Sequence, residues 1–165
     1  MAPRLNAPGR LGDAEPSLEL LTTNNVSEAH ALAYRLDADN HKRRDQSKQV
    51  WEHASTQFDI KSDDPIVAVR CDGFAMGLLG PLAGRLSELS GKPSIAYQVV
   101  AGLARASCRS NESLDLHMAL SNHANRFERF GGHARAAGFS IKIEFLPSLL
   151  DDIRKRTAWS ALTTP

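Results

Sequence analysis

Two short stretches hold residues whose types and spacing suit the recognition of an anion. The first is Ala104-Arg105-Ala106-Ser107-Cys108-Arg109-Ser110. On a strand, Arg105, Ser107 and Arg109 share one face while Ala106, Cys108 and Ser110 take the other. Two guanidinium groups and a hydroxyl then line one surface, and phosphodiester oxygens fit such a row, because arginine is favoured where planar, bidentate recognition matters. A solvated strand face accommodates the same residues. The second stretch is Gly131-Gly132-His133-Ala134-Arg135-Ala136-Ala137-Gly138. Paired glycines after a helix let the backbone reach positive φ, so successive N–H groups converge on an anion, and the small Ala136, Ala137 and Gly138 admit a ligand close to the chain. His133 would add a hydrogen bond or a charge. A helix C-cap followed by a tight turn uses the same glycines.

Other reactive side chains do not assemble by spacing. Asp37 and Asp39 are two apart, and on a helix they point roughly 200° from each other, so Asp37-Ala38-Asp39-Asn40-His41 reads as a solvated face. His30, His41 and His53 are separated by about three helical turns, and His117 and His123 are six apart, so neither set makes a ligand pair. Cys108 lies beside Arg109, which would lower a thiol pKa, but a buried cysteine fits the alternation better. Trp51 and Trp159 are the two tryptophans available for base stacking, and Trp51 falls on an apolar stripe.

The elements that must position these residues follow from pattern. The opening Arg4-Leu5-Asn6-Ala7-Pro8-Gly9-Arg10-Leu11-Gly12 mixes turn formers with arginines and reads as a loop, like the cut end of something longer. Pro16 to Leu21 makes a short helical turn, and Thr22-Thr23-Asn24-Asn25 caps a long helix. Along that helix Ala29, Leu32, Leu36, Ser47, Val50, Trp51 and Ala54 form one thin stripe, with polar Asn40 and Arg43 between. Residues 1–64 are therefore expected to form an interdomain loop and a helical arm, and 65–165 a compact domain. In the latter, Ile66 to Val69 reads as a strand, Gly77 to Leu89 as a helix, and Ser94 to Val100 and Leu103 to Ser110 as strands. Leu114 to Phe130 reads as a helix, Gly138 to Ile143 as a strand and Phe145 to Arg156 as a closing helix. The fold class is α/β: a helical arm followed by a mixed β-sheet flanked by helices.

Composition narrows the function classes. The 165 residues carry 20 Lys and Arg against 19 Asp and Glu, so the chain is neither a basic nucleic-acid coat nor an acidic tail. The balance is local: residues 1–64 hold 8 basic and 11 acidic side chains, and 65–165 hold 12 and 8. Two cysteines exclude a disulfide framework and fit a reducing, cytoplasmic setting. The longest mainly apolar run, Gly73 to Leu82, is too short to span a bilayer.

Four separated segments together resemble the C-terminal part of a RecJ-type single-strand-specific exonuclease, in order and over essentially the whole chain. They are Arg4 to Ala14, Leu36-Asp37-Ala38-Asp39-Asn40-His41-Lys42-Arg43-Arg44, Ser107-Cys108-Arg109-Ser110 and the Gly131 to Gly138 stretch. The resemblance implies a connecting arm and a DHH-associated nucleic-acid-binding domain that follow a catalytic domain. It further implies a 5′-to-3′ exonuclease of DNA repair and recombination that uses manganese or magnesium. No Asp-His-His occurs in this sequence, so the metal-binding aspartates are expected in a catalytic domain missing from it, and no cofactor is expected here. Where the family usually carries a Trp-His pair this chain has Phe74-Ala75. The implied partner is single-stranded DNA, whose phosphates Arg105, Ser107, Arg109, Gly131, Gly132, His133, Ala137 and Gly138 would hold, with Arg4 and Arg10 at the interdomain end. A short-oligonucleotide phosphodiesterase, an alanyl-tRNA synthetase tail and an interaction module without a nucleic-acid role are the alternatives.

Overall fold

A computed structural model describes residues 1–111 and 114–163, with side chains described as far as 158. The opening segment is helical where its composition suggested a loop. Helices α1 (Ala2–Leu5) and α2 (Ala7–Leu11) each place a proline in the first turn, where its missing N–H costs nothing, and Gly12 ends α2 with φ of 125°. Turn formers here mark helix ends. Helix α3 (Glu15–Thr22) follows the same rule with Pro16. The arm is the 30-residue α4 (Val26–Ser55), about 45 Å long. Asn25 caps it by accepting from the Ser27 and Glu28 amides, and Leu32, Leu36, Asn40, Val50 and Ala54 form its buried stripe.

Strand β1 (Val67–Arg70), helix α5 (Met76–Ser90) and strand β2 (Ser94–Val100) make a parallel strand–helix–strand unit. Strand β3 (Leu103–Arg109) returns antiparallel through Ala101-Gly102. Helix α6 (Leu116–Ser121) and a 3-10 turn at Ala124–Arg126 lead to β4 (Phe127–His133) and β5 (Ala136–Lys142). A second 3-10 turn, Ile143–Phe145, opens α7 (Leu146–Thr163). The sheet is mixed, in the order β1-β2-β3-β5-β4. Among the described residues no helix is long and apolar enough to cross a membrane.

The expected helix from Leu114 to Phe130 is replaced by the short α6 and the edge strand β4. The cause is a bulge at Glu128: Phe127 pairs with Ile141 and Arg129 with Ser140, leaving Glu128 extra. The bulge returns both Phe127 and Phe130 to the core face, so two aromatics three apart imitate a helical period. Their rings stack at 5.4 Å, and Phe139 closes on Phe127 at 5.3 Å. The Gly131-Gly132-His133 segment therefore lies in a strand and not after a helix, and the hairpin turns at Ala134-Arg135.

The sheet has two covered regions. On one face Ala104, Ala106, Cys108, Phe139 and Ile141 pack against Leu116 and Leu120 of α6 and Leu149 and Ile153 of α7. On the other, Val67, Val69 and Ala96 meet Leu79, Leu82, Ala83 and Leu86 of α5, with Val50 and Ala54 of α4 closing the cluster. Helix α5 contacts β1, β2 and β3. On that same face Arg129, Gly131 and His133 of β4 are exposed, and Ala136, Gly138 and Ser140 of β5 are half-buried.

Candidate nucleic-acid interface

Residues paired across antiparallel strands point to the same side of a sheet, so the register places the candidate residues in rows. Arg109, Ala136 and His133 form one row, Ser107, Gly138 and Gly131 the next, and Arg105, Ser140 and Arg129 the third. The middle row is nearly bare backbone: a Cβ at Gly131 would meet no atom within 4 Å. Rows of one face recur about every 7 Å along a strand. The result is a shallow trough floored by glycine, with Arg109 and His133 on one bank and Arg105 and Arg129 on the other.

Where the trough reaches α5 it deepens into an open cleft of about 530 Å³ lined by Arg10, Gly80, Pro81, Gly84, Arg85, Glu88 and Arg109. Gly80 and Gly84, one helical turn apart, make room for Arg109: a Cβ at Gly80 would stand 3.2 Å from its Nη2 and one at Gly84 4.0 Å from its Cγ. Arg109 donates through Nη1 to the Cys108 carbonyl at 2.8 Å, which fixes the guanidinium and leaves Nη2 toward the cleft. Ser107 Oγ lies 3.9 Å from the same Gly80 position. Arg10 arrives from α2, anchored by Nη1 on the Gly77 carbonyl at 3.1 Å. Guanidinium groups from elements nearly 100 residues apart thus converge on one opening.

The remaining candidates fall elsewhere. Arg4 is engaged by Asp37 of α4 and borders an apolar hollow with Leu5, Leu21 and Leu36, away from Arg10. That hydrogen bond holds the Asp37 carboxyl below the usual carboxylate range. Ala137 and Gly132 pair with each other on the opposite face, and Ala137 is buried against the α6–α7 core. Gly132 has φ of 143°, and a Cβ there would lie 2.4 Å from the Ala136 carbonyl oxygen, so it serves the closeness of the hairpin strands. Cys108 is fully buried, and desolvation pushes its thiol up to about 12; burial likewise raises Cys71 to about 11. Trp51 carries Arg85 on its ring face, and the Trp159 side chain lies outside the described residues.

The DHHA1 domain family model matches residues 63–158. The chain belongs to the DHHA1 family. Its DHHA1 domain and arm are 32% identical over 152 residues to the single-stranded-DNA-specific exonuclease RecJ of Bacillus subtilis, covering 90% of this chain and 19% of that protein. The solved structure of RecJ in complex with Mg²⁺ from Thermus thermophilus superimposes with a TM-score of 0.83 at 28% identity, over 99% of this chain and 25% of that one. An exonuclease RecJ bound to manganese gives 0.80 at 29% identity, over 99% and 40%. The chain thus spans well under half the length of these relatives. Among its described residues no three His, Cys, Asp or Glu side chains stand together so as to hold an ion, so the metals of those structures have no fitting site here.

Sequence reasoning missed Arg129, because β4 read as helix, and Arg85, because one arginine on an apolar helix carries no pattern. Gly80 and Gly84 had a legible signal in their spacing of four, which sets two bare positions on one helix face.

Proposed function

We propose that this chain is the part of a RecJ-like exonuclease that grips the phosphate backbone of single-stranded DNA, with residues 1–64 as connecting arm and 65–165 as the nucleic-acid-binding domain. The observation that carries the reading is the convergence of Arg10 and Arg109 on one glycine-lined cleft that opens onto the Gly131–Gly138 trough. Bare backbone lets a phosphate approach closely, and fixed guanidinium forks meet its oxygens in pairs. Arg105, Arg129 and His133 along the banks extend the grip to neighbouring phosphates. Held this way, a strand is positioned for hydrolysis by a metal-dependent catalytic domain of the parent enzyme, in a 5′-to-3′ direction and in the service of DNA repair in the cytoplasm. The similarity to RecJ supports this assignment, and the chain's own contribution is binding and orientation.

The test is a filter-binding titration with single-stranded DNA at several salt concentrations. The wild-type chain should bind with a clear salt dependence, and Arg109→Ala should lose about 1–3 kcal/mol and lower the salt slope by about one counterion. Salt-independent or absent binding would return the chain to an interaction module without a nucleic-acid role.

A further inference from the structure

Arg85, together with Pro81, borders both the 530 Å³ cleft and a neighbouring pocket of about 170 Å³ that Arg43, Ser47, Val50, Trp51, Leu78 and Leu82 also line. Its guanidinium carbon stands 3.7 Å over the centroid of the Trp51 ring. That ring is held in turn, half-buried against the α4–α5 cluster and edge-on to Phe58 at 6.2 Å. Stacking uses the flat face of a guanidinium and leaves every N–H in its plane. Among the described residues Arg85 makes no ion pair or hydrogen bond, although Glu88 lines the same cleft. Arg43, on the far side of the smaller pocket, is under-satisfied as well: Nη2 donates to Asn40 Oδ1 at 3.1 Å, and its buried Nε has no acceptor. Two arginines with spare donors therefore face one pocket joined to the cleft through Pro81.

We propose that Arg85, held flat by Trp51 and assisted by Arg43, is a second phosphate subsite, which takes the phosphodiester next to the one in the Arg10–Arg109 cleft and leads the strand onto the arm. The inference rests on the backbone-gripping reading above. It also assigns Trp51 a role other than base stacking, since its open face is taken by the guanidinium. Shielding of Trp51 is the competing structural role, and it predicts a loss of stability without any change in binding.

The experiment uses the 165-residue chain with Trp159→Phe, which leaves Trp51 as the sole tryptophan. Two probes are titrated, a thymidine dinucleotide that fills one subsite and an eight-residue oligothymidylate that spans both. The octamer should change Trp51 emission. Arg85→Ala and Arg85→Gln should weaken octamer binding roughly tenfold and lower its salt slope by about one, with a smaller loss of dinucleotide affinity than Arg109→Ala causes. Arg109→Ala should weaken both probes. If both Arg85 variants keep full octamer affinity while Arg109→Ala loses it, the second subsite is wrong and the backbone-gripping reading stands. If the parent chain binds neither probe, the backbone-gripping reading itself falls, and the subsite with it.

Discussion

The carbonyl oxygen of Gly77 accepts a hydrogen bond from Nη1 of Arg10 at 3.1 Å, and a Cβ on Gly77 would lie 2.4 Å from the carbonyl oxygen of Arg10. Pro81 has no N–H to offer Gly77 four residues back, so the guanidinium takes the place of the missing helical donor. A proline inside α5 and a glycine at its start thus dock α2 and aim Arg10 at the cleft.

Gly77→Ala should separate α2 from α5, because backbone atoms occupy the space of the added methyl. The expected cost is about 1–3 kcal/mol of stability together with weakened strand binding. Arg10→Ala should weaken binding and, by leaving the Gly77 carbonyl without its donor, cost about 0.5–1.5 kcal/mol of stability, less than Gly77→Ala. Thermal melts and DNA titrations of both variants check this; a Gly77→Ala protein with unchanged melting temperature would contradict the packing argument.

The hairpin separates a folding residue from binding residues. Gly132→Ala combines a positive φ with contacts of 2.4 and 2.5 Å to the Ala136 carbonyl oxygen and Ala137 Cα, so it should cost about 2 kcal/mol or more. Gly131→Val faces open space on a strand, so its melting temperature should hold while the side chain obstructs the trough and lowers affinity. His133→Ala should reduce affinity without affecting stability. Full-affinity binding by both Gly131→Val and His133→Ala would remove the trough from the interface.

Acid should destabilise the fold through two paired carboxylates. Asp152 is held below the ordinary carboxylate range by the Arg156 hydrogen bond and then by His123, and Asp72 by Arg70 and the Val99 amide. A lowered folded pKa contributes stability that is complete above the unfolded value, about 3.9, and lost as pH falls through the folded one. The melting temperature should therefore hold above about pH 5 and fall steadily below about pH 4. Asp152→Asn should shrink that fall, and an identical pH profile in the variant would show that the pairing of Asp152 with Arg156 and His123 contributes nothing.

The β2–β3 turn holds a residue in the wrong conformation for its type. Ala101 has φ of 50° and Gly102 of 77°, the signs of a type I′ turn, in which asparagine is favoured at the first position. Ala101→Asn should raise stability by roughly 0.5–1 kcal/mol, measured by urea denaturation. A lower midpoint would mean that the alanine methyl makes a contact worth more than the relieved strain.

Strands β1, β2 and β3, helix α5 and the long arm are legible in the sequence because each follows one local rule: alternation, a 3–4 stripe, or a cap such as Asn25. The facing of Arg105, Ser107 and Arg109 follows from the same period of two, since it needs only the strand itself. Helices α1 and α2 were hidden because proline and glycine signal a turn and a helix boundary alike, and only packing against α4 selects the helix. Strand β4 was hidden because its bulge gives Phe127 and Phe130 a helical spacing, and only pairing with β5 reveals that both face the core.

The sequence by itself determined which side chains are available and how they alternate along each element, since backbone geometry sets those periods over a few residues. Only the tertiary structure decided which of them meet. Arg10 and Arg109 share a cleft because glycines on a third element, Gly77, Gly80 and Gly84, allow close approach, whereas Arg4 is drawn to Asp37 and Ala137 is turned into the core. Convergence of that kind depends on where separate elements pack, and spacing along the chain does not encode it.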